Sequence, residues 1–164
     1  MRSIVAISAL LLAGCQAATP GMAPQASAQY GPKVISPEMA ILAAADEAPH
    51  GYPGRFGMTV VATGREKGRL FLNSREDYRD PRNITIAIDA RAQRLLRMQY
   101  KVDSFEHLVK GRQIEIDGVA MKERIIFTAG GRPSGKYYYQ THVRVSDPDQ
   151  IRILDVARPD LPTD

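Results

Sequence analysis

Hydrophobic and polar positions change rhythm three times along this 164-residue chain. Behind Arg2, residues 4–12 form an apolar run broken only by Ser8, too short to cross a bilayer as a permanent helix. From 16 to 54 the chain is rich in Ala, Pro, Gly and Gln, with little to bury, and predicts a flexible tether. Inside it, residues 36–45 predict a short helix: Ser36 caps it, Pro37 suits its first position, and Glu38 favours the positive end of its dipole. Pro49, Gly51, Pro53 and Gly54 end it, and docking of this helix on the body is left open.

After Gly54 the period becomes two. Met58, Val60 and Ala62 alternate with Thr59, Val61 and Thr63, a turn follows at 65–68, and 69–73 returns as a second strand. Ile84, Ile86 and Ile88 alternate with Thr85, Ala87 and Asp89 in a third. Residues 90–99 form the one helix expected in the body, with Ala92, Leu95, Leu96 and Gln99 on one side. Ile114 and Ile116 mark a fourth strand, continued over 124–128 after a kink at Gly118. A glycine-rich turn at 130–135 leads to a strand over 137–145, and 150–155 closes the body.

The order is three strands, a helix, then two strands with a long hairpin inserted late, and a single helix between the third and fourth strands is the connectivity of an OB-fold. The fold class expected is therefore all-β, a five-stranded OB-fold-like Greek-key barrel with one helix between strands 3 and 4. The domain reading is signal peptide 1–14, lipidated cysteine and tether 15–54, barrel 55–156 and tail 157–164. An SH3-like barrel is the competing architecture. Residues 70–74 with 83–88, 108–118 (Leu-Val-Lys-Gly-Arg-Gln-Ile-Glu-Ile-Asp-Gly) and 147–154 (Asp-Pro-Asp-Gln-Ile-Arg-Ile-Leu) resemble strands of exported bacterial OB-fold domains. The resemblance spans about 57–154 and implies a fold; it carries no agreed activity, and fold alone licenses none.

Leu12-Ala13-Gly14-Cys15 follows the apolar run in the layout of a secretory signal peptide. It resembles the bacterial lipoprotein signal, the lipobox, in which the cysteine is acylated and becomes the new N-terminus. That resemblance implies lipidation at Cys15, palmitate among the acyl groups, and a place on the periplasmic side of the envelope. Gln16, where enteric-type lipoproteins kept at the inner membrane carry aspartate, favours the outer membrane. Cys15 is the only cysteine, so neither a disulfide nor a thiolate metal site is expected. A net charge of +4 suits weak attraction to anionic headgroups or polyanions and falls short of a dedicated nucleic-acid binder.

The strongest binding surface expected is the row Tyr138, Gln140, His142 and Arg144, which period two puts on one face of a strand. A ring, an amide, an imidazole and a guanidinium in line suit bases, sugars or a protein surface; a hairpin with aromatic cross-strand pairs and a solvated polar row is the plainer alternative. Tyr78 and Arg79, in the balanced loop 75–82, are rim candidates. Arg91, Arg94, Arg97 and Lys101 form a basic stripe on the helix, either solvated or facing anionic headgroups. Residues 130–136 fit G-x-x-x-x-G-K, but Tyr137 follows where a phosphate loop needs Ser or Thr and a helix, so a hairpin turn is expected. His50, His107 and His142 lack ligand spacing, and Asp77, Asp80 and Asp89 have arginines nearby. The expectation is a non-enzymatic module without cofactor or metal. It would be held to the membrane by lipid and would bind an envelope protein or polymer; the alternative is polyanion or single-stranded nucleic-acid binding. Oligomeric state is left open.

Overall fold

The computed structural model describes residues 33–157, apart from the side chain of Ala129. The expected signal peptide, Cys15, most of the tether and the tail after residue 157 lie outside the described residues. The elements are β1 (Val34–Ile35), α1 (Pro37–Asp46), β2 (Tyr52–Thr59), β3 (Ala62–Glu66), β4 (Arg69–Asn73), β5 (Ile84–Ile88), α2 (Ala90–Tyr100), α3 (Phe105–Val109), β6 (Gln113–Ala129), β7 (Arg132–Val145) and β8 (Ile151–Ile153). All eight strands belong to one sheet, in the order β1-β2-β6-β7-β5-β4-β3, with β8 on β6.

Among the described residues eight strands stand where a five-stranded barrel was expected. β1 and the division of the first strand are new, and β8 is the closing strand expected at 150–155, outside the five barrel strands. The expected first strand starts earlier, at Tyr52, and is interrupted at Val60–Val61 into β2 and β3; β1 adds a parallel pair to β2, and β8 lies beside β6. The interruption has a hydrogen-bonding cause. Val60 bonds through its N–H to Arg112 and through its C=O to Gly111, on the side of β6, whereas the Val61 N–H donates to Asn73 of β4. The chain thus changes partners at one peptide: β2 pairs antiparallel with β6, and β3 with β4.

The remaining ladders join β4 to β5 and β6 to β7 antiparallel, while β5 and β7 run parallel. A parallel pair needs a crossover, supplied here by α2, α3 and β6 in succession. The single expected helix is two, because Lys101 ends α2 in a left-handed conformation (φ 53°) and Ser104 caps α3, accepting from the His107 N–H at 3.3 Å. Gln93 of α2 donates to the carbonyls of Gly68 and Ile88, both at 2.9 Å, and fastens the helix to the sheet. The predicted kink at Gly118 is absent; β6 runs through it as one strand of 17 residues. The last strand is shorter than 150–155, since Pro148–Gln150 forms a 3-10 turn capped by Asp147.

One core lies beneath the sheet. Phe56 and Met58 of β2, Leu70 and Leu72 of β4, Ile84, Ile86 and Ile88 of β5, Ile114 and Ile116 of β6, and Val143 and Val145 of β7 alternate into it. Leu96 of α2 and Phe105 and Val109 of α3 join them. The expected N-terminal helix is present as α1, and it is docked: Ala40 and Ala44, one turn apart, are fully buried against the body. Their methyl groups let the helix lie close to the sheet.

Candidate functional site

The outer face of β4, β5 and β7 gathers the predicted binding row. In β5 all five residues are buried: the isoleucines point into the core, while Thr85 and Ala87 are buried on the outer side. Register sets His142 beside Thr85 and Arg144 beside Ala87 on one edge, and Asn73 and Phe71 beside the same two residues on the other. The Phe71 and His142 rings, with centroids 6.4 Å apart, flank this shallow floor.

The loop from Ser74 to Asn83 is built to hold Tyr78 and Arg79 at its rim. The Asp77 carboxylate accepts from the Arg79 N–H at 2.9 Å, and that of Asp80 accepts from the Arg82 N–H at 2.8 Å, two turns of the kind Asp favours. The Arg82 guanidinium also grips Asp80 and holds its carboxyl well below the usual range, at about 2. Asn83, 2% exposed, donates to Asn73 Oδ1 and Thr85 Oγ1 and accepts from the Arg75 N–H. That buried amide locks the loop onto the sheet floor.

Within the row, every polar group is engaged. Gln140 Nε2 donates to the Tyr78 carbonyl at 2.9 Å and to Tyr138 Oη at 3.1 Å. A carbonyl oxygen only accepts, so this contact fixes which end of the Gln140 amide is nitrogen. Its Oε1 therefore accepts from His142 Nε2, 2.7 Å away. The other ring nitrogen, Nδ1, faces Glu123 at 3.5 Å, and the same carboxylate accepts from Arg144 at 2.8 Å. Burial pushes the His142 pKa down, Glu123 opposes that, and Arg144 and Arg69 add to it. Tyr138 is pushed up, chiefly by burial. The Arg79 guanidinium lies 4.9 Å from the centre of the Tyr78 ring, and that tyrosine is the main cause of its raised pKa.

Tyr138, Gln140, His142 and Arg144 thus share one face with Tyr78 and Arg79, as a connected set and not as a freely solvated row. Glu123, Phe71 and Phe127, whose ring lies 5.0 Å from that of Tyr138, are members that the sequence pattern left out. The basic stripe is elsewhere. Arg91, Arg94, Arg97 and Lys101 are exposed on α2, in no ion pair among the described residues, and three of them line a shallow depression with Met98, Val102 and Asp103. The glycine-rich motif is a hairpin turn: Gly130 and Gly131 both have positive φ (58° and 76°), the geometry a two-residue connection requires. His50 and His107 are exposed and lie outside the set. Asp77 and Asp80 order the loop, and Asp89 caps α2 through the Ala92 N–H at 2.8 Å. Among the described residues no group of three His, Cys, Asp or Glu side chains is arranged to hold a metal ion, and no helix is long and apolar enough to cross a membrane.

No family model matches the chain, and no curated protein matches it. Among solved structures, an aspartyl-tRNA synthetase from Leishmania major Friedlin is similar at 11% identity and a TM-score of 0.42, over 85% of this chain and 24% of that one. An aspartyl-tRNA synthetase from Entamoeba histolytica is similar at 12% identity and a TM-score of 0.40, over 99% of this chain and 30% of that one. The chain thus spans less than a third of either, and so slight a likeness assigns neither a family nor an activity.

Proposed function

We propose that the chain is a non-enzymatic binding module of the bacterial cell envelope, lipid-anchored at Cys15, that engages a protein or envelope polymer through the outer face of β4, β5 and β7. The lipobox-like segment supports the address. Topology supports an OB-fold-like barrel: with β2 and β3 taken as one strand bent at Val60–Val61, the ladders β2–β6, β6–β7, β7–β5, β5–β4 and β4–β3 return to their starting strand. The outer face of strands two and three is where such barrels bind oligosaccharides and oligonucleotides.

The observation that carries the reading is the connected set Tyr78, Gln140, Tyr138, His142, Glu123 and Arg144. Six groups from three chain segments are held in place before any ligand arrives, which reduces the ordering cost of binding. Site-specific photocrosslinking from position 138 in cells tests this. A single envelope species should be captured, and Tyr78→Ala should reduce its yield while the thermal melt is unchanged; capture unaffected by Tyr78→Ala overturns the face as the binding surface.

Aromatic Tyr78, Tyr138 and Phe127 beside Arg79 favour one second reading, single-stranded nucleic acid, since rings and arginine together form a stacking platform. Anisotropy of a labelled oligothymidylate decides it. Binding that weakens steadily with salt, and falls about tenfold or more in Tyr138→Ala, assigns this reading; no binding at low salt removes it.

A further inference from the structure

Beyond residue 120, β6 has no partner but β7, and β7 before residue 141 has none but β6, among the described residues. Residues 121–140 are therefore a two-stranded ribbon that extends past the other strands, its base tied to the outer sheet face through Glu123 and Gln140. Such an arm would be expected to be polar. This one exposes Ile126, Phe127, Tyr137 and Tyr139 at 40% or more of their surface. Register distributes them over both faces: Ile126 lies opposite Tyr137 on one side with Tyr139, and Phe127 packs on Tyr138 on the other.

Its one acid is Glu123, near its base and paired with Arg144. From Arg124 to Ser146 there is no acidic residue. Lys122, Arg124, Arg132 and Lys136 are exposed, and none forms an ion pair among the described residues. Lys122 lies 4.7 Å from the Tyr139 ring centre and Arg124 5.4 Å from that of Tyr137, so cations flank the rings. At the tip, Gly130 and Gly131 have open space where a side chain would stand.

We infer that the β6–β7 ribbon is a membrane-contact arm that enters the headgroup layer of an anionic bilayer edge-on, its rings and Ile126 at the apolar boundary and its cations among the phosphates. Tyrosine and lysine or arginine together are the side chains that suit that boundary. A nucleic-acid strand would stack along one face of a ribbon; apolar bulk on both faces is matched by a medium that surrounds the arm. The arm shares Glu123, Phe127, Tyr138 and Gln140 with the outer sheet face, and it gives the body a contact with the bilayer that does not depend on acyl chains.

The chain contains no tryptophan, so single replacements report on the arm alone, even if the N-terminal segment also binds lipid. In the full chain, Phe127→Trp and Tyr137→Trp place one fluorophore on each face. With phosphatidylglycerol vesicles both should shift to the blue and be quenched by brominated acyl chains, with no shift in pure phosphatidylcholine. Neutralising Lys122 or Lys136 to Gln should weaken the response about fivefold each. Vesicle-bound protein whose tryptophans stay solvent-like overturns the inference, as does a shift on one face only. A response to oligothymidylate but not to vesicles also overturns it and assigns the arm to nucleic acid, separately from the result for Tyr78→Ala.

Discussion

His142 shows how a single side chain is committed by its neighbours. Because Gln140 spends both amide protons on Tyr78 and Tyr138, it offers His142 only an acceptor, and the ring proton must sit on Nε2. The lone pair of Nδ1 then faces Glu123 across 3.5 Å, an arrangement that only a second proton would turn into a hydrogen bond. Burial nevertheless holds the pKa below its ordinary value of 6.5. Between that value and the lower folded one, the unfolded chain takes up a proton that the native ring refuses. The stabilisation is thus complete above pH 6.5 and lost as pH falls through the folded pKa. Urea unfolding at pH 7 and pH 5 should show a loss of stability that is smaller in His142→Gln; an equal loss in both would show that His142 does not govern this window. The alternation of 138, 140, 142 and 144 was legible because strand period is a local property. Glu123 was not. Counting back from Gly130–Gly131 pairs it with Tyr138, but the register slips by two residues between Ile126 and Thr128, and Gln140 is its true partner.

At the scale of elements, β6 carries the most constraint. It meets β2 along one edge and β8, then β7, along the other, and Gly118, opposite Gly54, is where its partners change. The sequence suggested a kink here, since glycine weakens a strand. The structure assigns it a packing role instead: a methyl group at Gly118 would come within 2.7 Å of Val143 Cγ1, and Val143 is fully buried. Gly118→Ala should therefore destabilise the fold by about 1–3 kcal/mol, measured by denaturant midpoint, and Gly118→Ala with Val143→Ala should recover part of that loss. Periodicity located β4, β5 and α2 closely because each turns an alternating or helical apolar stripe into the core. It missed α3, whose five residues are too few to show a period, and it divided β6, whose ribbon half has no core face to impose alternation.

For the whole molecule, the folded unit begins earlier than composition suggested. Ala-rich sequence before residue 54 resembles linker because alanine buries little area, yet Ala40 and Ala44 have no exposed surface. Ala44→Leu should cost about 1–3 kcal/mol and lower the Tm, whereas Leu42→Ala, at an exposed position of the same helix, should change stability by less than about 0.5 kcal/mol. The bend at Val60–Val61 has a further consequence, for the order in which the chain folds. Hairpins β3–β4, β4–β5 and β6–β7 join near neighbours and need little loop closure. The β2 ladder, by contrast, waits for residues 113–120, and the parallel β5–β7 pair waits for 141–145. A chain made from its N-terminus therefore cannot complete its sheet until nearly all of the body has emerged. Such long-range pairing slows folding and prolongs the interval in which the emerging chain exposes unpaired strand edges.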